Sequence, residues 1–95
     1  MNYTGNDIYV SFDVIQDTKP AKVNSGGVIV NGPHDRFILS DNCHVRKNEV
    51  SYRLDKKHVK ISGLYRLTFN VRIDRIGEQT HEIKVRVKKG GDNAG

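Results

Sequence analysis

Apolar and polar residues alternate with period two along most of this chain. In DIYVSFDVI, residues 7–15, Ile8, Val10, Phe12 and Val14 fall on one face and Asp7, Tyr9, Ser11 and Asp13 on the other. That pattern predicts a half-buried strand. QDTKPA then turns the chain, with Asp17 and Pro20 as its markers. Two short apolar runs follow, Val28-Ile29-Val30 and Phe37-Ile38-Leu39, joined by the hairpin-sized loop NGPHD. In CHVRKNEVSYRL, a two-residue loop at Lys47-Asn48 sets Arg46 opposite Glu49, Val45 opposite Val50, His44 opposite Ser51, Cys43 opposite Tyr52 and Asn42 opposite Arg53. This register keeps apolar pairs on one face and the opposite charges Arg46 and Glu49 on the other, and Asn48 suits the left-handed conformation that such turns need.

DKKHVKI is too short for an independent helix and reads as a crossover with at most one helical turn. Beyond it, Tyr65, Leu67, Phe69, Val71 and Ile73 form one apolar face. DRIGEQ turns the chain, with Gly77 as the positive-φ residue, and THEIKVRVKK returns with Ile83, Val85 and Val87 inward. About seven short antiparallel strands with turn signals every eight to twelve residues predict an all-β sandwich or small barrel. Tyr65, two residues after Gly63 and on the penultimate strand, stands where immunoglobulin-like sandwiches carry a tyrosine corner, a hydroxyl bonded to backbone just upstream. The expected fold is therefore an immunoglobulin-like β-sandwich, without the cysteine pair and tryptophan of antibody domains. It spans residues 1–89 as one domain, and residues 90–95 form a flexible glycine-rich tail.

The opening strand with QDTKPAKVNSGGVIV, the strand NEVSYRL and the closing GLYRLTFNVRIDRIGEQTHEIKVRVKK resemble small modules of tailed phages. The likeness covers residues 7–88 and is to the immunoglobulin-like N-terminal domain of phage baseplate upper proteins and related modules on heads and fibres. Its most specific part is the Gly-x-Tyr strand and the THEIKV return. The resemblance implies a non-enzymatic virion structural protein, assembled in the host cytoplasm. Its partners would be other phage structural proteins of baseplate, tail, neck or head fibre, and homo-oligomers fit such a role. Baseplate proteins of this kind continue into fibre-like regions, so this chain reads as a stand-alone virion protein or a piece of a larger one.

Composition changes this picture little. The single Cys43 excludes an intrachain disulfide and suits a reducing compartment or a particle assembled inside a cell. His34, His44, His58 and His81 match no zinc spacing. No metal or other cofactor is expected. Asp7, Asp13, Asp41 and Asp55 read as solvated carboxylates. Cys43 and His44 are neighbours in sequence and point to opposite faces of a strand, so they cannot act as a nucleophile and its base. Cys43 reads as a small buried apolar residue, His81 as packed at a strand end, and His34 and His58 as loop residues. No apolar run is long enough to span a membrane, and the chain opens on a polar segment rather than a targeting signal. It reads as soluble.

Sixteen basic residues against eleven acidic give a net charge of +5, spread along the chain. Parity places Arg66, Arg72, Lys84, Arg86 and Lys88 outward on the last two strands, with Arg53 added if its strand lies nearby. This is the candidate docking strip. No outward position on it is aromatic, so it favours a protein-facing or solvated surface over nucleic acid. The alternative is a small nucleic-acid-binding β-barrel of OB type, which usually places a helix between its third and fourth strands. A carbohydrate-binding module finds little support in so few aromatics.

Overall fold

The computed structural model describes residues 2–90. Among the described residues ten strands run in chain order: β1 (Asn2–Tyr3), β2 (Ile8–Asp13), β3 (Ile15–Gln16), β4 (Lys19–Pro20), β5 (Val23–Asn31), β6 (Phe37–Asn42), β7 (His44–Arg46), β8 (Glu49–Leu54), β9 (Gly63–Ile73) and β10 (Gly77–Lys88). Two 3-10 turns, Pro33–Asp35 and Lys56–His58, are the only helical pieces among the described residues. The all-β expectation holds, while the count of about seven strands does not. The three additional strands, β1, β3 and β4, are two residues each, too short to show a period.

The strands form a five-stranded sheet in the order β1-β10-β9-β5-β6, a three-stranded sheet β2-β8-β7, and a two-stranded ribbon β3-β4. All neighbours are antiparallel except β1, which runs parallel to the end of β10. The larger sheets face each other across one apolar core. Ile8, Val50 and Leu54 enter it from one side, and Val28, Val30, Leu67, Phe69 and Val71 from the other. Phe69 is fully buried, and Phe12 meets its ring edge-on with centroids 5.1 Å apart. At about 25 cal/mol per Å² of apolar surface removed from water, this layer is the main stabilising term.

The period-two reading of β9 is realised in full, with Tyr65, Leu67, Phe69, Val71 and Ile73 all buried. The β7–β8 register also matches for Arg46–Glu49, Val45–Val50 and His44–Ser51. There the agreement stops. At Cys43 the chain changes sheets: Asn42 pairs with Gly27 in the five-stranded sheet, and the Cys43 N–H donates to the Gly26 carbonyl at 3.1 Å. Cys43–Tyr52 and Asn42–Arg53 are thus not ladder pairs. Gly26 permits this crossing, because a Cβ there would lie 2.6 Å from Cys43 Sγ. In the β7–β8 turn the left-handed residue is Lys47, φ 57°, not Asn48. The strand expected over 7–15 breaks after Asp13, and Ile15 joins the β3–β4 ribbon, closed by left-handed Asp17 and Thr18.

Of the expected tail, Gly90 donates its N–H to the Thr4 hydroxyl at 2.9 Å. The other tail positions, 91–95, lie outside the described residues.

Candidate docking surface

One end of the molecule is shaped by Tyr65. Its ring is 1% exposed, and its hydroxyl donates to the Ile61 carbonyl, four residues upstream, at 2.7 Å. This bond fastens the end of the 55–62 crossover. The rest of the crossover is held by backbone and carboxylate contacts. Asp55 accepts from the Lys57 N–H at 2.9 Å, Asp7 from the Lys56 N–H at 2.7 Å, and the Val59 carbonyl from the Gly5 N–H at 2.8 Å. The bond from the Lys57 N–H, with help from the Lys57, Arg53 and His58 charges, holds the Asp55 carboxyl below its ordinary range.

Two glycines allow close packing around the 31–36 loop, Gly63 where the loop meets the end of the crossover and Gly32 where it meets Ile38. Gly63 has φ 140°, and a Cβ on it would meet Pro33 Cγ at 2.8 Å. A Cβ on Gly32 would meet Ile38 Cδ1 at 2.9 Å. Between loop and crossover lies an open cleft of about 270 Å³. Pro33, Phe37, Ile38 and Ile61 supply its apolar lining, and Arg36, Lys57 and Lys60 its charged rim. Phe37 is 62% exposed and Ile61 51%. Arg36 and Lys60 form no ion pair with any described residue, and Asp35, the nearest acid in the loop sequence, is engaged by Arg66. An apolar concavity ringed by cations suits a partner that carries an acidic group beside an apolar anchor.

None of these cleft residues stood out from alternation alone. Phe37 was hidden in an apolar run, but a register shift at Val30/Asn31 sets it opposite Asn31 and turns it outward. The closely spaced cations of KKHVK, beside Ile61, were the available signal.

The expected basic strip is brought together in part. Arg66, Arg72, Lys84, Arg86 and Lys88 lie on β9 and β10 of the five-stranded sheet. Arg53 does not join them: it sits on β8 in the opposite sheet and pairs with Asp7 at 3.6 Å. Acids also interleave the strip. Arg66 contacts Glu82 at 3.5 Å as well as Asp35, Lys84 contacts Glu82 at 4.0 Å, and Arg72 contacts Glu78 at 3.7 Å. Lys84 and Arg66 are directly opposite across the ladder, but Arg72 faces Glu78 and Arg86 faces Leu64. Exposed pairs of this kind contribute at most about 1 kcal/mol each.

Elsewhere, Tyr52 links the two sheets by donating to Asp41 Oδ2 at 3.0 Å, and burial, followed by that acceptor, pushes its phenol up to about 12. Burial also pushes the Cys43 thiol up, opposed by a smaller backbone hydrogen bond. His81 stacks at 5.0 Å on Phe12, and its Nε2 is buried without a hydrogen-bond partner. No cluster of three or more metal-ligating side chains occurs among the described residues.

No protein-family model, curated protein or solved structure matches the chain.

Proposed function

We propose that this chain is an immunoglobulin-like β-sandwich that serves as a non-enzymatic phage virion module, docking to neighbouring structural proteins through the cleft between residues 31–36 and 55–62. The strand arrangement supports the fold reading. Strands β10, β9, β5 and β6 facing β2, β8 and β7 correspond in chain order to the two sheets of such sandwiches, and Tyr65 makes its upstream backbone bond at the start of the penultimate strand. The virion setting rests on the likeness of residues 7–88 to tailed-phage modules.

The observation that carries the docking reading is the apolar cleft with Phe37 and Ile61 exposed inside a rim of Arg36, Lys57 and Lys60. Cross-linking and mass spectrometry of purified particles test it. The protein is expected in particles, with cross-links from Lys57 or Lys60 to an acid-bearing segment of a neighbour. Phe37→Ser combined with Lys60→Glu should abolish incorporation while leaving the melt unchanged. Absence from particles, or normal incorporation of that variant, would overturn the reading.

One observation favours a second reading. Exposed Phe37 beside Arg36 offers a stacking face among cations, the arrangement that single-stranded nucleic acid uses. The strands form separate sheets rather than one closed barrel, so this would not be an OB-type site. A gel shift on a single-stranded oligonucleotide that weakens steeply with salt and is lost on Phe37→Ser would favour it.

A further inference from the structure

Strand β10 presents an open edge. Strand β1 covers it only at Val87 and Lys88, so residues 77–86 have β9 on one side and no strand on the other among the described residues. The open stretch runs about 30 Å at roughly 3.4 Å per residue. It contains no proline, and its pairing with β9 is unbroken from Gly77↔Ile73 to Val87↔Gly63, so no bulge twists it away. Its inward side chains Gln79, His81, Ile83 and Val85 are only half-buried. An edge of this length with unused backbone donors and acceptors is a template for another strand.

We propose that the occupant is a second copy of this chain, paired antiparallel along β10 about a two-fold axis at His81. Charge complementarity together with the extent of the open stretch sets the register, since an axis at Ile83 would also set Glu82 opposite Lys84 but would run into the part of β10 that β1 covers. With the axis at His81, Glu78 of each copy stands opposite Lys84 of the other, Thr80 opposite Glu82, and Gln79 opposite Ile83. Every pair falls within the open stretch. With the axis one residue later, the two Glu82 carboxylates meet at the centre. With the axis at Ile83, Gln79 runs against Val87, where β1 already sits. With the axis at Thr80, Glu78 meets Glu82. Opposite charges directly across an antiparallel pair are favourable and like charges are not. In such a dimer the two five-stranded sheets become one continuous sheet.

Sedimentation equilibrium of the full chain at low ionic strength tests this. Wild type should show a concentration-dependent monomer–dimer equilibrium. Lys84→Glu sets Glu against Glu78, and Glu78→Lys sets Lys against Lys84, so each variant alone should dimerise about tenfold more weakly. An equimolar mixture of the two restores both opposite-charge pairs and should form a heterodimer of wild-type strength, as should the double variant with itself. Both positions are exposed, so thermal melts should stay near wild type. A wild type that remains monomeric up to millimolar concentration, single variants that associate like wild type, or a mixture without rescue would each overturn the proposal.

Discussion

Replacing Tyr65 by Phe removes one oxygen and one hydrogen bond and leaves the rest of the ring in place. The ring is 1% exposed and its neighbours do not change, so the core loses almost no packing. What changes is the Ile61 carbonyl, which loses a donor at 2.7 Å. A buried acceptor left bare costs about 1–3 kcal/mol, whereas one that water can reach costs less. Because the Ile61 side chain is 51% exposed, water has access to this end of the crossover, and the lower figure of about 1 kcal/mol applies. For a domain of this size that lowers Tm by about 4–8 °C. Urea melts should show a lower midpoint with an unchanged slope, since the surface exposed on unfolding is the same. The loss should also be local. Hydrogen exchange should quicken at amides 59–62 by more than the global change, while amides in the middle of β9 should follow the global change only. A Tyr65→Phe melt indistinguishable from wild type would show that the hydroxyl does not fasten the crossover. Equal acceleration at every amide would show that it acts on the core and not on the cleft.

Four further outcomes are expected. Phe69→Ala should cost about 3–5 kcal/mol in a denaturant melt, because its ring is fully buried against Phe12; wild-type stability would refute the face assignment of β9. Gly26→Ala should destabilise by about 1–3 kcal/mol, since the new Cβ would lie 2.6 Å from Cys43 Sγ and 3.2 Å from Val71 Cγ1. Adding Cys43→Ala should recover part of that loss, and strict additivity of the two changes would count against the contact. Arg72→Ser with Arg86→Ser should leave stability within about 0.5 kcal/mol, because both are exposed and, among the described residues, only Arg72 of the two has an ion-pair partner. The Tyr52 phenol is raised from 10.0 to about 12, so the folded state binds its proton more tightly. The stability it contributes is complete below pH 10 and is lost as pH rises through about 12, so Tyr52→Phe should flatten the alkaline decline seen in wild type.

Where alternation was long, the sequence sufficed. Eleven residues of β9 carry five inward positions, and any one-residue slip would turn all five to solvent. The β7–β8 hairpin was legible because the apolar pair Val45–Val50 and the charge pair Arg46–Glu49 agree on a single register. The first half of β5 was not. Asn24, Ser25, Gly26 and Gly27 have poor strand propensity; Ser25, Gly26 and Gly27 extend because β9 pairs with them, β6 joins only at Gly27, and Gly26 makes room for Cys43. The basic strip was half legible for another reason. Parity separates inside from outside, but a sandwich has two outsides. Arg53 and Arg86 are both outward, yet on opposite sheets, and only long-range pairing distinguishes them.

The cleft and the open edge belong to opposite margins of the same sheet. The cleft is built on β6, the end of β5 and the start of β9, while the edge is β10, on the far side of β9. Two copies joined along β10 would therefore leave both clefts uncovered, at the outer margins of a continuous sheet. A second cleft held at fixed spacing turns the second docking event into an intramolecular one, and avidity can exceed either single affinity by about 10²–10⁴. A cleft of this size with only three rim cations would bind one acidic segment weakly. Paired clefts facing a repeated neighbour would bind firmly without any new contact, provided the neighbour's repeat matches their separation. On that argument the charge-reversal variants at Glu78 and Lys84, which leave the cleft untouched, should weaken attachment to a repetitive assembly but not binding to a single isolated acidic segment. Loss of both together would place the edge residues in the docking contact itself.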